Sequence, residues 1–177
     1  MVRYYYETNL LETRTKPLHI YRGTEKIGTI QGYYDRIWKR VIDSIGNSPP
    51  VFLQYELRDS SENVRVHTKY AGFWKNRYVV TYINNENQKH EVIVEDIKVY
   101  DGFGEKGVSV TYGHKQYVMK RDPFCPAELY LDETLIATWE IQLLAKRVVV
   151  HIIDYHFFEE EYLILGVFHC YFYATKG

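Results

Sequence analysis

Alternation of apolar and polar residues dominates the middle of the chain. Runs such as Val51-Phe-Leu-Gln-Tyr-Glu-Leu57, Arg77-Tyr-Val-Val-Thr-Tyr-Ile83, His90-Glu-Val-Ile-Val94 and Gly107-Val-Ser-Val-Thr-Tyr112 alternate over part of their length and are rich in β-branched and aromatic residues, as half-buried strands are. Turn chemistry separates them at Gly23-Thr-Glu25, Asp59-Ser-Ser-Glu-Asn63, Asn84-Asn-Glu-Asn87, Asp101-Gly-Phe-Gly104, Tyr112-Gly113 and Asp132-Glu133. About eleven or twelve strands are predicted, spaced as in an all-β barrel or sandwich. The C-terminal stretch from Arg147 differs. A strand-like run, Arg147-Val-Val-Val-His-Ile-Ile153, leads through Glu159-Glu-Glu161 into Tyr162-Leu-Ile-Leu-Gly-Val-Phe-His-Cys-Tyr-Phe-Tyr-Ala174, which carries no charge. At helical spacing its apolar residues cover every face, so this helix must be surrounded by protein. Thirteen residues at about 1.5 Å each reach only about 20 Å, too short for the roughly 30 Å of a bilayer's hydrocarbon.

A second helix is predicted over residues 35 to 45. Asp35-Arg-Ile-Trp-Lys-Arg-Val-Ile-Asp-Ser-Ile-Gly46 opens on an N-cap residue and closes on glycine, with Ile37, Trp38, Val41, Ile42 and Ile45 on one side. Arg36, Lys39 and Arg40 occupy the other. A short internal repeat also stands out: Leu18 to Ile30 and Glu128 to Trp139 each read as a strand, a polar turn, then Ile, a small residue, Thr and an apolar residue. Two related hairpins would produce it.

Composition narrows the class. With 177 residues, 46% of them hydrophobic, the chain can bury its own core as one domain spanning 1–177. Two cysteines, Cys125 and Cys170, the second inside the apolar helix, predict no disulfide and a reduced compartment. The first residues lack a signal peptide's apolar stretch, so the cytoplasm is expected. The net charge of −1 is unevenly spread, with eight Lys or Arg against four Asp or Glu in residues 1–40 and four against nine in residues 121–177. No basic block suits nucleic acid.

A strand-rich domain of this length, with turns of the Tyr21-Arg-Gly-Thr-Glu-Lys-Ile-Gly28 type, resembles the tubby-like superfamily, which comprises tubby C-terminal domains, phospholipid scramblases and LURP-one-related proteins. The likeness rests chiefly on Val148-Val-Val-His-Ile-Ile-Asp154 followed by Glu159-Glu-Glu-Tyr-Leu-Ile-Leu-Gly-Val-Phe-His169, and is greatest with small bacterial members. It implies a closed antiparallel barrel of about twelve strands around a hydrophobic C-terminal helix, here residues 160–173, with the 35–45 helix peripheral. A lipocalin-like barrel is the rival fold; there the helix packs outside and needs one apolar stripe only. Leu163, Ile164, Leu165, Val167 and Phe168 point in several directions and favour the threaded helix.

Catalytic signatures are missing from the sequence: no Gly-x-Ser-x-Gly, His-Glu-x-x-His, Cys-x-x-Cys, Walker loop or dinucleotide fingerprint occurs. Asp101-Gly-Phe-Gly104 is read as a hairpin turn, and Cys125, between prolines, as structural. His151-Ile-Ile-Asp-Tyr-His156 is the nearest approach to a metal set, but on a strand His151 lies opposite Asp154 and His156. His169 reads as a satisfied core histidine. No catalytic residue, metal or cofactor is expected. The basic residues are the remaining lead: Arg36, Lys39 and Arg40 at i, i+3 and i+4, and Lys115 and Arg121, which share a strand face with Tyr117 and Met119. The tubby-like resemblance implies that either group could meet anionic lipid headgroups, making the chain a non-enzymatic binding or scaffold domain peripheral to a membrane. The alternatives are a protein-interaction module recognising exposed aromatics and, as an enzyme, a metal-dependent hydrolase using Asp154 and His156.

Overall fold

The structure, a computed structural model, describes residues 1–7, 15–45, 52–72, 77–98, 106–121, 125–142 and 144–174. The turn expected at 101–104 and the helix stop at Gly46 lie outside the described residues. Alternation folds as the period of two requires. The strands are β1 (Val2–Glu7), β2 (Leu18–Arg22), β3 (Glu25–Tyr33), β4 (Gln54–Asp59), β5 (Val64–Tyr70), β6 (Arg77–Ile83), β7 (Lys89–Lys98), β8 (Lys106–Tyr112), β9 (Lys115–Arg121), β10 (Ala127–Leu131), β11 (Thr134–Gln142) and β12 (Arg147–Ile152). Each pairs antiparallel with its sequence neighbour, and β1 closes onto β12, Tyr4 opposite Val150, to give a twelve-stranded barrel. Closure removes the exposed strand edges on which another chain could template.

The two mouths of the barrel differ. At one, the hairpins turn in two residues, Gly23-Thr24, Gly113-His114 and Asp132-Glu133, or in short loops stapled by a side chain. Gly23 and Gly113 take positive φ there, 61° and 58°, where a Cβ would be strained. Asp59 Oδ1 accepts from the Ser61 and Asn63 amides, and Asn84 Oδ1 from those of Glu86 and Gln88. At the other mouth lie the connections after β1, β3, β5, β7, β9 and β11, with a helix, α1 (Ile37–Ile45), in the one after β3.

The internal repeat is a structural one. In β2–β3 the register shifts so that Ile20 faces Gly28 and Tyr21 faces Lys26, leaving Ile27 as the extra residue; in β10–β11 Leu129 faces Ala137 and Tyr130 faces Leu135, leaving Ile136 extra. Both extra isoleucines are buried. The bulges let two consecutive residues serve the core and bend the strands around the barrel.

α2 (Glu161–Ala174) threads this barrel, entered through a 3-10 turn at Tyr155–Glu160. Every residue from Leu163 to Cys170 is buried, so no side of the helix meets water there. That is the consequence of its all-round apolar composition, and it places α2 within one residue of the expected 160–173. Gly166 is the point of closest approach: a Cβ there would stand 2.7 Å from Val66 Cγ1. His169 is the core histidine expected, its Nδ1 3.3 Å from the Tyr6 hydroxyl and its ring edge-on to Tyr55 at 4.8 Å. Cys170 is buried and free, and burial pushes its thiol up to about 12.

The acidic run before α2 explains many of the tyrosines. Tyr4 donates to Glu161 at 2.6 Å and Tyr117 to Glu160 at 3.0 Å, while Tyr82 donates to the Glu159 carbonyl at 3.1 Å and Tyr162 to the Ile27 carbonyl at 3.1 Å. Arg22 and Lys115 complete the pairs, at 3.3 Å to Glu161 and 3.1 Å to Glu160. Carboxylates beside the first turn of a helix are favourably placed against its dipole. The cluster bolts the helix entrance to the strands of the tight-hairpin mouth.

Candidate functional site

α1 has the sequence of a strongly two-sided helix. At 100° per residue its five apolar residues fall on an arc of about 140°, and Lys39, Asp43, Arg40 and Ser44 fill the rest. An amphipathic helix ordinarily turns its apolar stripe to the core. This one does the opposite. None of its residues is buried; Ile37 is 84% exposed and Ile45 78%, and Trp38, Val41 and Ile42 stand about half exposed. The polar side holds it to the body: the Asp43 carboxylate accepts from the Phe52 amide at 3.0 Å, and Lys39, its side chain only 18% exposed, donates to Asp35 at 2.7 Å. The Lys39 ammonium also lies 5.8 Å from the Trp38 ring and 5.7 Å from that of Phe52, and the two rings meet edge to face at 5.6 Å.

Where the chain leaves β3 for α1 and returns to β4, the barrel wall carries a polar cluster. Tyr33 ends β3, Gln54 opens β4 and His67 lies on β5, all on the outer face. The Tyr33 hydroxyl is 2.7 Å from His67 Nε2 and 3.3 Å from Gln54 Oε1, which is itself 3.0 Å from Nε2. Burial holds the imidazole below its ordinary range, and burial with the nearby Glu56 carboxylate pushes the Tyr33 phenol up to about 12. The cluster ties together the two strand ends from which the α1 excursion leaves and returns.

The five basic residues picked from the sequence do not form one surface. The Arg36 and Arg40 side chains are exposed and make no ion pair or hydrogen bond among the described residues, whereas Lys39 is folded back onto Asp35. Tyr117 and Met119, which alternate with Lys115 on one face of β9, are buried, so that face is the barrel's inside. Lys115 sits at the tight-hairpin mouth, paired with Glu160 and 5.2 Å from the Phe157 ring. Arg121 ends the same strand at the opposite mouth, across from Lys106. Asp154 and His156 do not assemble a metal set either: the Asp154 carboxylate caps the 3-10 turn through the His156 amide at 3.0 Å, and the His156 ring lies on Tyr155 at 3.8 Å. Among the described residues no group of three or more His, Cys, Asp or Glu could hold a metal ion, and no helix is long and apolar enough to cross a membrane.

A closed twelve-stranded antiparallel barrel with a central apolar helix defines the class of domain. Residues 4–174 match the family model of the Tubby C-terminal like domain, and the chain belongs to that family. No curated protein and no solved structure matches it.

Proposed function

We propose that this chain is a non-catalytic binding module that associates reversibly with anionic bilayer surfaces through α1. The observation carrying this reading is the outward-turned apolar stripe of α1, flanked on its Ile37 margin by the unpaired Arg36 and Arg40. An in-plane helix with an apolar face and cations at its edge suits the boundary between headgroups and acyl chains. Each basic residue near an anionic surface contributes about 1 kcal/mol, so Arg36 and Arg40 give about 2 kcal/mol. The apolar side chains contribute more: full burial of an Ile or Val is worth about 1.5 to 3 kcal/mol, and Ile37 and Ile45 have most of that still to gain. Lys39 positions the helix rather than meeting lipid, and Lys115 serves the helix entrance.

Flotation with vesicles of phosphatidylcholine alone, or with added phosphatidylserine, at low and high salt, tests the reading. Binding should rise with phosphatidylserine and weaken with salt, and an Arg36→Glu, Lys39→Glu, Arg40→Glu variant should lose most of it. A wild type that ignores anionic vesicles refutes the proposal. Retention by a protein partner that is insensitive to salt would favour an interaction module built on the same stripe.

A further inference from the structure

The charge on α1 is small for a helix that would bind by electrostatics. Residues 35–45 hold three cations, Arg36, Lys39 and Arg40, against two carboxylates, Asp35 and Asp43, a balance of +1. Asp35 neutralises Lys39 at 2.7 Å and Asp43 is committed to the Phe52 amide. What the helix presents in quantity is hydrocarbon. Ile37, Val41 and Ile45 follow one another at successive turns along the outer side, with Trp38 and Ile42 beside them, all exposed.

Building on the lipid reading above, we propose that α1 recognises loosely packed acyl chains, the defects of a strongly curved or highly unsaturated bilayer, and that headgroup charge only adds to it. The geometry suits shallow insertion. The polar side of the helix is fastened to the segment entering β4, so the barrel would stand above the headgroup plane while the stripe from Ile37 to Ile45 lies in it. A tightly packed bilayer offers no room for side chains branched at the β-carbon without separating its headgroups; a defect already exposes the hydrocarbon they would cover. A second copy of this chain is the less suitable occupant. Two such helices packed stripe to stripe and antiparallel would bring the Arg36 and Arg40 margins of both toward each other, with Asp35 already paired to Lys39 and Asp43 to the Phe52 amide.

The test compares small, strongly curved vesicles with large, nearly flat ones of the same phosphatidylcholine and phosphatidylserine content, using flotation of the full chain. Wild type should bind the small vesicles several-fold more tightly. Ile37→Ser and Ile45→Ser should each weaken that binding by on the order of tenfold and shrink the preference. An Arg36→Gln, Arg40→Gln variant should keep the preference for small vesicles while losing its dependence on phosphatidylserine. All these side chains are exposed, so melting curves matching wild type will show that the barrel is intact. Equal binding to both sizes, governed by phosphatidylserine alone, overturns this inference and leaves the lipid reading standing. Absence of binding to every vesicle overturns both. A dimer in sedimentation that Ile45→Ser converts to monomer gives the stripe to a second copy and also overturns the inference.

Discussion

Gly166 offers the sharpest test of how the helix and barrel fit. Replacing it with alanine removes a residue that costs a helix interior about 1 kcal/mol, so on propensity alone Gly166→Ala should stabilise the protein. Packing opposes this. The new methyl would lie 2.7 Å from Val66 Cγ1, 3.3 Å from Cγ2 and 3.4 Å from Cβ, against about 3.5 to 4.0 Å for relaxed carbon contacts. Rotating Val66 to turn its hydrogen toward the new methyl would carry a methyl into the packing on its other side, and Val66 is 1% exposed. Overpacking of this kind costs typically about 1 to 3 kcal/mol, which equals or exceeds the propensity gain. The net expectation is a loss of up to about 2 kcal/mol. Val66→Ala alone should also destabilise by creating a void, but in the Gly166→Ala background it removes the clash. Urea denaturation of the four proteins should therefore give a favourable coupling of about 1 to 2 kcal/mol. If Gly166→Ala stabilises the protein by its propensity value and the two changes are additive, the close contact between α2 and β5 does not exist.

Three further outcomes follow from the same structure. Gly28→Ala should be more damaging than Gly166→Ala, because its Cβ would fall 2.1 Å from the Arg58 carbonyl oxygen, a backbone atom that cannot swing aside; loss of cooperative folding in circular dichroism is expected. Tyr117→Phe should cost about 1.5 to 3 kcal/mol in urea denaturation, since it strips a charged acceptor, Glu160, of a hydrogen bond of 3.0 Å. Tyr82 and Tyr162 are pushed up to about 12, chiefly by burial, while an unfolded tyrosine titrates near 10. Below pH 10 both states keep these protons; above it the unfolded chain loses them first, so stability should fall as pH rises from about 10 toward 12, with phenolate absorbance appearing in step with unfolding.

The parts of the fold legible in the sequence are those fixed by composition on every face or by strict period. α2 could be recognised because an uncharged helix from Tyr162 to Ala174 has no side to offer water, and Arg77–Ile83 alternates so regularly that its strand bounds coincide with the sequence reading. Orientation was not legible. An amphipathic pattern states which residues of α1 share a face and is silent on whether that face looks inward or outward; the answer lies in Asp43 and Phe52, nine residues apart, whose hydrogen bond pins the polar side. The same ambiguity applies to β9, where the period of two puts Lys115 on the face of Tyr117 and Met119, although those two residues line the interior. Tyr33, Gln54 and His67 come together only through the register of three strands, which no local spacing encodes.

The mouths of the barrel divide the labour between stability and binding. At the tight-hairpin mouth the hydroxyls of Tyr4, Tyr82 and Tyr117 and the cations of Arg22 and Lys115 are spent on the Glu159–Glu161 entrance of α2, so a ligand there would have to displace bonds that hold the fold together. The interior is taken by α2 itself. On α1, by contrast, Arg36, Arg40, Ile37, Val41 and Ile45 are exposed, and the helix is held to the body by the Asp43–Phe52 hydrogen bond and the Trp38–Phe52 ring contact. Substitutions in that stripe should therefore alter binding while leaving the melting temperature within the small range expected of exposed positions, whereas changes at the tight-hairpin mouth should do the reverse. Parallel measurement of vesicle binding and thermal unfolding across Ile37→Ser, Ile45→Ser, Tyr4→Phe and Tyr117→Phe would show the separation, and an α1 variant that unfolds early would mean that the stripe packs against the protein after all.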